Sequence, residues 1–406
     1  MPSDFLRHSR ARRTDSGRAF KEAMPQSLPH ICHLTVLNPA IHTRIFYKLA
    51  WSQREMGHPV TIIGQSSAAA PYENEGIRIV PTGIFGRLRL TRLLAPLRIL
   101  QKALRADADI YVLHTPELLW VGGWLKKMKG KQVIYDVHED YLVNITTTEH
   151  YPRRIRGILG RWVRRAELRA VRWLDAVCYA EENYDNLLGV PAEKKFILRN
   201  KFTDRAARRP SRIEIPRQPY MLYTGTLYEK GGAFRTLELW AEFNKVEPTH
   251  LVMAGMAFVP EMFTRIWHQA ESYGLDDRFT LIGGIDYLPY ADILRLIEHC
   301  EFGLALYDSS LCVRMPTKFY EFMAYGKPLV YTRDTQWDAA NSRAFMGFSY
   351  APGDDVPALL ARLKNRAAYP PAPLPKDYAW AGEEPELARM MQRMKGMGAA
   401  PFVPLG

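Results

Sequence analysis

Two charged side chains stand in an otherwise apolar stretch, MPTKFYEFMAYGKPLVY, at residues 315–331. Apolar residues recur there at helical spacing between Pro316 and Gly326, which predicts a short helix followed by a strand. Lys318 lies in the first turn of that helix, where free N–H groups and the helix dipole favour an anion. Glu321, one turn later, can accept two hydrogen bonds from a vicinal diol. The pair suits the phosphate and ribose of a nucleoside diphosphate, although a surface ion pair explains the same two residues equally well.

The composition is that of a soluble globular protein with two domains. The chain has 406 residues, of which 47% are hydrophobic and 24% charged, and it has no apolar run of the roughly 18 residues that a membrane span requires. Residues 1–27 are basic and polar without the apolar core of a secretory signal, which predicts a disordered tail. The four cysteines are widely separated, which argues against a disulfide framework or a zinc site and fits a reducing cytoplasm: Cys32, Cys178, Cys300 and Cys312.

The positive charge is concentrated in the first half. Residues 1–200 carry 31 Lys and Arg against 19 Asp and Glu, whereas residues 201–406 carry 24 of each. Much of the excess lies in residues 86–109 and 151–173, and the second stretch has eight arginines opposed only by Glu167. Contact with an anionic membrane surface explains this pattern, and so does a domain helix with a solvated basic face; no motif favours nucleic acid. The apolar face of the second stretch comprises Ile155, Ile158, Leu159, Trp162, Val163 and Ala166.

Strand-like apolar runs alternate with helical patterns in both halves, which predicts two parallel sheets covered on both faces. The predicted fold class is therefore α/β, with two Rossmann-like, doubly wound domains facing each other across a cleft. We predict a first domain at residues 28–200, a linker at 201–219 and a second domain at 220–368. The loop and helix at 369–406 follow, and one option is that they cross back to the first domain.

Polar and glycine-rich residues follow the predicted strands, where such folds bind ligands. In the second half these are GTLYEKGG (225–232) and GGIDY (283–287). Asp107 and Asp109 form a D-x-D string, but they precede a strand, so a turn is favoured over a metal site. In the first half the segments are Asn38 with downstream Arg44, HTPE (114–117) and DVHEDY (136–141).

In order along the chain, these segments resemble those of GT-B glycosyltransferases, close to the retaining family 4 enzymes, over roughly residues 29–397. NPAIHTRIFYKLAWSQREMGHPVTIIG resembles the family's acceptor-side opening, and DADIYVLHTPELL and QVIYDVHEDY resemble its two strand-end histidine segments. YTGTLYEKGG resembles its diphosphate loop and PTKFYEFMAYGKPLV its nucleotide-binding helix. Five motifs in the same order are far more specific than a single glycine loop.

The resemblance implies roles for individual residues. His114 would approach the donor sugar near the reacting carbon, and Lys230 and Lys318 would hold the diphosphate. The remaining donor side would comprise Gly225, Thr226, Gly231, Gly232, Gly284, Ile285 and Glu321, with Glu321 on the ribose and residues 284 and 285 beside the base. The acceptor side would comprise Asn38, Arg44, His138, Glu139 and Asp140.

Each role has a structural alternative. His114 and His138 could be hydrogen-bonded structural histidines, Lys230 an ordinary loop lysine, and Glu139 and Asp140 solvated loop charges. If the implied roles hold, the lysines and the helix N-terminus stabilise the leaving diphosphate without a metal or other cofactor. The leaving phosphate could then take the proton of the acceptor, which gives retention by front-face attack.

The sequence departs from the family pattern at two positions. Thr226 stands where many family 4 enzymes carry Arg, and Val313 stands where they carry a glutamate eight residues before the one that matches Glu321. Arg314 and Asp308 are the nearest candidates to compensate.

The favoured function is transfer of a sugar from a nucleotide-diphosphate sugar to a lipid-linked or growing glycan at the cytoplasmic face of a membrane. Two alternatives stay open: a nucleotide-sugar epimerase of the same fold, and a catalytically silent subunit that binds a glycan or a partner protein.

Overall fold

The computed structural model describes residues 28–84, 94–147, 153–184, 186–311 and 314–396. The predicted tail at residues 1–27, Cys312 and Val313 therefore lie outside the described residues. Within them, the chain forms two separate sheets covered by helices, one built from each half. The predicted α/β class with two parallel-sheet domains is confirmed.

The first sheet has eight strands in the order β3-β4-β2-β1-β5-β6-β7-β8. All neighbouring strands in it are parallel except β3, which pairs antiparallel with β4 at one edge. Its central strands are buried apolar runs, as expected for strands that are covered on both faces. The strands are β1 (Ile31–Pro39), β2 (Val60–Gln65), β3 (Tyr72–Asn74), β4 (Ile77–Pro81), β5 (Ile110–Leu113), β6 (Gln132–Val137), β7 (Ala176–Tyr179) and β8 (Lys195–Ile197).

Helices cover both faces of this sheet. On one face, α3 contacts both α2 and α5, and the three share a core with the central strands. A π-helical segment, Thr43–Ala50, follows β1, and such segments are frequent at functional sites. The helices are α1 (Trp51–Glu55), α2 (Ala95–Ala106), α3 (Leu119–Lys129), α4 (Tyr141–Thr147) and α5 (Arg153–Ala170).

The second sheet has six parallel strands in the order β11-β10-β9-β12-β13-β14. The strands are β9 (Tyr220–Thr224), β10 (His250–Met256), β11 (Phe279–Gly284), β12 (Phe302–Ala305), β13 (Leu329–Thr332) and β14 (Gly347–Tyr350). The helices are α6 (Ala233–Val246), α7 (Glu261–Ser272), α8 (Tyr290–His299), α9 (Thr317–Ala324), α10 (Thr335–Arg343) and α11 (Val356–Lys364).

The end of the chain returns to the first sheet. After α12 (Pro375–Tyr378), the last helix, α13 (Glu384–Gly396), packs its methionines against β8 and the start of β1. Trp380 anchors this return, because its ring is buried, its Nε1 donates to Ser52 Oγ at 2.9 Å, and its backbone N donates to Phe202 O at 2.6 Å. The C-terminal segment is therefore part of the first domain's core.

The remaining sequence-based expectations concern cysteines and membrane spans. Cys32, Cys178 and Cys300 are buried free thiols, as their spacing predicts. No helix within the described ranges is both long and apolar enough to cross a membrane.

We expect Trp380→Ala to destabilise the protein by about 3–5 kcal/mol, because it removes a large buried ring and leaves a cavity. Trp162→Ala is the matched control, since this ring is 65% exposed and its loss should change stability by less than about 0.5 kcal/mol. Urea unfolding followed by circular dichroism measures both. Equal midpoints for Trp380→Ala and the native protein would show that the C-terminal return does not stabilise the first domain.

Candidate active site

The carboxyl ends of the central strands of both sheets face one large cavity. Its volume is about 1030 Å³, and it is lined by loops from both halves of the chain. From the first half come residues after β1, β5 and β6, and from the second half come Thr226 after β9 and the segment before α9. The cavity therefore lies where parallel sheets bind their ligands.

Lys318 and Glu321 are both buried in α9, with 7% and 5% of their surfaces exposed. The Lys318 ammonium lies 4.4 Å from the centre of the Tyr223 ring and 5.0 Å from that of Tyr307, a cation–π arrangement. A Cβ placed on Gly225 would be 3.8 Å from Lys318 Nζ, so the ammonium lies just beneath the glycine loop. The surface ion pair that the sequence left open is wrong.

Burial controls the charge of this pair. It lowers the pKa of Lys318 to about 7, while neighbouring Glu321 opposes the shift. Burial also raises the pKa of Glu321, against the influence of Tyr290, Lys48 and Lys318. A buried ammonium without a close carboxylate is stabilised by any anion that reaches it.

Lys48, from the π-helical segment of the first domain, belongs to the same buried group and was missed by sequence reasoning. Its ammonium donates to the side-chain and backbone oxygens of Asn200 at 2.6 and 3.1 Å. Burial lowers the pKa of Lys48 to about 7, and Glu321 is the strongest influence against that shift. A signal was present, since Arg44 and Lys48 lie four residues apart on a segment that is otherwise apolar enough to be buried.

The glycine loop packs directly on the second sheet. Gly232 has φ +89°, and a Cβ there would lie 2.1 Å from the carbonyl oxygen of Leu306, so only glycine permits this approach. Gly231 packs against the Tyr228 ring. Lys230 is exposed and does not line the cavity formed by the described residues, and its carbonyl accepts a bond from the Asp308 amide at 2.8 Å. The role of Lys230 on the diphosphate stays a prediction.

Of the two residues offered as substitutes for the missing family side chains, only Arg314 faces the cavity. It lines the cavity with Thr226, and its Nη1 lies 3.9 Å from Glu139 Oε2 of the first domain. Asp308 instead pairs with Arg235 at 3.1 Å and accepts a bond from Ser310. A guanidinium is therefore available beside Thr226.

The predicted base-binding residues lie at the end of β11. The carbonyl of Gly284 accepts a bond from the Ala257 amide at 2.9 Å, and Ile285 is exposed. Phe258 and Tyr287, from neighbouring loops, line the cavity. Contact of these residues with a base stays a prediction.

His114 lies beneath the cavity rather than in it. Its side chain is fully buried, and its Nε2 is 2.9 Å from His33 Nδ1 while its Nδ1 is 3.0 Å from Asp136 Oδ2. Burial lowers the pKa of His114 to about 4, so the ring is neutral. Protein groups lie within hydrogen-bonding distance of both ring nitrogens, and the implied role of His114 at the donor sugar stays a prediction.

Hydrogen bonds join His114 to a second buried histidine. His33 Nδ1 lies 2.9 Å from His114 Nε2, and burial lowers the pKa of His33 to about 3. The other ring nitrogen of His33 lies 2.7 Å from the side-chain oxygen of Gln53, whose amide donates to Met391 Sδ at 3.6 Å.

Asp136 Oδ2 accepts hydrogen bonds from the histidines around it. It lies 3.0 Å from His114 Nδ1 and 2.8 Å from His138 Nε2, and both bonds lower the pKa of Asp136. His138 lines the cavity together with His42, whose ring stacks on it with a centroid distance of 5.9 Å. These two histidines, rather than His114, are therefore placed to meet a ligand.

Arg44 lines the cavity and also fixes Asp136. Its Nε and Nη2 donate to the Asp136 carboxylate at 2.9 and 2.6 Å, and its Nη1 donates to the Leu198 carbonyl at 2.7 Å. Burial alone would raise the pKa of Asp136, but Arg44 and His138 hold it well below its usual value. Because these bonds all go to other protein groups, Arg44 acts on the site by positioning Asp136.

The other predicted acceptor-side residues divide into two groups. Asn38 and Glu139 line the cavity, and Glu139 also accepts a bond from Asn144. Asp140 is turned away, since its carboxylate accepts from Arg164 at 2.5 Å and from the Val143 amide at 3.2 Å. Asp140 therefore caps α4 and does not line the cavity that the described residues form.

Three ligand-type atoms, from His114, Asp136 and His138, lie within 4.8 Å of one another. Arg44 already balances the charge of Asp136 in this buried group. An added cation would therefore bring uncompensated charge next to a guanidinium. The arrangement suits a neutral hydrogen-bonded network better than a metal centre.

Two family models match successive parts of the chain. The first, described as Glycosyltransferase Family 4, matches residues 43–200, and the second, described as Glycosyl transferases group 1, matches residues 204–366. Together they cover the second sheet, all strands of the first sheet except β1, and most of the residues that line the cavity. Among curated proteins, none matches the chain by sequence.

Solved structures with the same architecture extend over nearly the whole chain. A sucrose-phosphate synthase from Thermosynechococcus elongatus has a TM-score of 0.62 at 15% identity and covers 91% of this chain and 94% of its own. The catalytic domain of starch synthase IV from Arabidopsis thaliana, bound to ADP and acarbose, has a TM-score of 0.60 at 12% identity. The match covers 91% of this chain and 100% of the synthase domain.

Anabaena HepE, in complex with UDP and glucose, has a TM-score of 0.58 at 15% identity, with coverages of 90% of this chain and 95% of its own. At these identities the likeness shows the fold alone, which is GT-B. The two family matches, in the same order as the two sheets, establish the rest: the chain belongs to the group 1 glycosyltransferases of the GT-B fold and is a glycosyltransferase.

Proposed function

We propose that this enzyme transfers a sugar, with retention of configuration, from a nucleotide-diphosphate sugar to a lipid-linked or growing glycan acceptor at the cytoplasmic face of a membrane. The observation that carries the donor half is the buried Lys318 ammonium, which lies beneath Gly225 at the start of α9 beside Glu321. A diphosphate would supply the anion that this site lacks, and its ribose would meet Glu321. HepE in complex with UDP and starch synthase IV bound to ADP support a nucleotide donor.

The chemistry needs stabilisation of the departing diphosphate. As the bond from C1 to the phosphate oxygen breaks, its electron pair passes to the diphosphate, where Lys318 and the amides of α9 neutralise the new charge. The acceptor oxygen attacks C1 from the same face, and its proton passes to the leaving phosphate oxygen. Charge stabilisation by these residues requires no metal, so we propose none.

His138 is placed to orient the sugar in this reaction. Its Nε2 lies 2.8 Å from Asp136 Oδ2, an acceptor, which leaves Nδ1 as the ring nitrogen that meets a hydroxyl group in the cavity. We assign to His138 the contact that the resemblance gave to His114, and His114 acts through it as a positioning residue. Arg314 stands beside Thr226, where the family pattern has another arginine, and is our candidate for a second phosphate contact.

A membrane surface is supported by the charge and exposure of three helices. Helices α2, α3 and α5 share one face of the first domain and together carry thirteen Lys and Arg and one Glu. On α5 the inner residues Leu159 and Val163 pack inward, but Ile158 and Trp162 are each 65% exposed. Exposed apolar side chains among arginines are the pattern of a helix that lies on anionic lipid.

Nucleoside diphosphate binding tests the donor site. We expect one of UDP, GDP, dTDP and CDP to bind in the micromolar range, and Lys318→Ala or Glu321→Ala to weaken it by about 1.5–3 kcal/mol. Because binding raises the pKa of Lys318 from about 7, the affinity should fall from pH 7 to 9, by up to about tenfold per unit. Calorimetry in buffers of different ionisation enthalpy measures the proton uptake.

Lys318→Arg is the matched control for that pH dependence. A guanidinium stays protonated throughout this range, so the variant should bind with little change between pH 7 and 9. An unchanged slope in Lys318→Arg would assign the proton to another group such as Lys48. Absence of binding by all four diphosphates would overturn the donor site itself.

The role of His138 predicts a loss of rate without a loss of nucleotide affinity. With the donor chosen by the binding series, we expect His138→Ala to slow release of the diphosphate by about 100-fold, while the diphosphate Kd stays unchanged. Slow hydrolysis of the donor by water provides the assay without an acceptor. His268→Ala, on the exposed surface of α7, is the control. Equal rates for the two variants would remove His138 from the reaction.

Vesicle sedimentation tests the membrane surface. We expect binding to vesicles with 30 mol% anionic lipid, little binding to neutral vesicles, and release by added salt. The double charge reversal Arg161→Glu with Arg165→Glu on α5 should weaken binding at least tenfold, because each basic residue near the surface contributes about 1 kcal/mol. Arg295→Glu, on the second domain, is the control. Equal binding by both variants would exclude the α5 face.

A further inference from the structure

The cavity has two chemically different ends. Its polar end lies between the two domains and presents Asn38, His138, Thr226, Arg314 and Thr317. Its other end runs into the first domain between α3, α4 and α5. We call that end the apolar groove, and its residues are Trp120, Ile145, Ile155, Leu159, Trp162 and Val163.

The donor site proposed above does not account for the apolar groove. The volume of the cavity, about 1030 Å³, lies at the upper end of the range for small-molecule sites, about 300–1,000 Å³. Lys318 and Glu321 adjoin the cavity through Thr317, at its polar end. The groove residues themselves are apolar, whereas a sugar hydroxyl acceptor needs hydrogen-bonding groups; Glu117, Tyr141 and Asn144 also line the cavity. The groove therefore fits a different part of a ligand from the part that reacts.

The groove is open to the surface along α5. Val163 and Ile145 form its buried floor, whereas Ile155 and Trp162 are 46% and 65% exposed where it reaches the surface. On α3, Trp120 is also half exposed, at 47%. Large apolar side chains that are left open around a groove are typical of a site that binds an apolar ligand.

The charge around the apolar groove distinguishes between the ligands that could occupy it. The groove opens on the basic face of α2, α3 and α5, where Arg154, Arg161 and Arg165 are exposed. The tail at residues 1–27 has six Lys and Arg against three Asp and Glu, and a second copy would bring the same basic face. Both would be repelled, whereas an anionic amphiphile would be attracted by charge and by apolar surface together.

We propose that the apolar groove binds the hydrocarbon chain of an anionic lipid acceptor, whose head group reaches His138 and Thr226 at the polar end. The inference rests on the proposed transferase function and narrows its acceptor from a lipid-linked or growing glycan to a lipid-linked one. The basic helices bind the membrane surface next to the opening of the groove. The hydrocarbon chain of the lipid can then enter the groove from the bilayer while its head group reaches the cleft. The groove thus selects the acceptor by its chain, and the polar end selects it by its hydroxyl group.

Single-chain alkyl phosphates test the groove without knowledge of the natural acceptor. Octyl, decyl and dodecyl phosphate are titrated into the full-length protein below their micellar concentrations, with intrinsic tryptophan fluorescence and calorimetry as readouts. We expect saturable binding of one molecule per chain, tightened about three- to fourfold by each added methylene. Ile155→Ser should weaken dodecyl phosphate binding about tenfold.

Ile158→Ser is the matched control, because Ile158 lies one turn further along α5, is exposed, and does not line the cavity. It should leave dodecyl phosphate affinity unchanged. Equal affinities for the two variants, or binding that does not saturate, would overturn the groove. Two further results would overturn the proposal. Binding that appears only after deletion of residues 2–27 would show that the tail occupies the groove. A dimer that dissociates in Ile155→Ser would show that a second copy of the chain occupies it.

The outcomes distinguish this proposal from the transferase function. Nucleoside diphosphate binding without alkyl phosphate binding would leave the donor site in place and remove the lipid groove. Alkyl phosphate binding in a protein that binds no nucleoside diphosphate would keep the groove and remove its role in glycosyl transfer. Inorganic phosphate is the head-group control, since it should bind at least 100-fold more weakly than dodecyl phosphate if the chain supplies the affinity.

Discussion

The buried ion pair between Arg44 and Asp136 is the interaction on which the first-domain side of the site depends. It joins the π-helical segment to the end of β6, and a further bond from Arg44 reaches the Leu198 carbonyl after β8. Such a pair stabilises little beyond a well-packed apolar alternative, but loss of one partner leaves a buried charge. The ion pair therefore matters for geometry, because it holds the Asp136 carboxylate in one orientation below the cavity.

That orientation determines the state of the histidines. An ionised Asp136 accepts from His138, while the neutral His114 and His33 carry the hydrogen-bond chain on to Gln53 and the C-terminal helix. The hydrogen bonds in this buried chain hold the rings in place and strengthen one another. The return of α13 to the first domain thus supports the site as well as the core.

Continuous apolar runs in the sequence indicate the central strands of both sheets, but not β3, β8 and β14, which are three or four residues long and contain polar residues. The sequence also placed Lys318 and Glu321 correctly at the start of a helix, because local spacing carries that information. It gave the donor-sugar role to His114 and placed His138 on the acceptor side, although both follow a buried strand and only His138 lines the cavity. His114 contacts His33, which lies 81 residues away in sequence, and no local pattern encodes a contact at that separation.

The donor side and the acceptor side are also linked to each other. Asn200 accepts from Lys48 of the first domain and donates to Thr317 Oγ1 at 2.6 Å, in the first turn of α9. The positive charge of Lys48, a first-domain residue, also lowers the pKa of Glu321. A ribose bound to Glu321 would therefore lie within the influence of a charge from the other domain. Donor binding would then be coupled to the relative position of the two domains. A ligand can shift that position only by the difference between its affinities for the two domain arrangements.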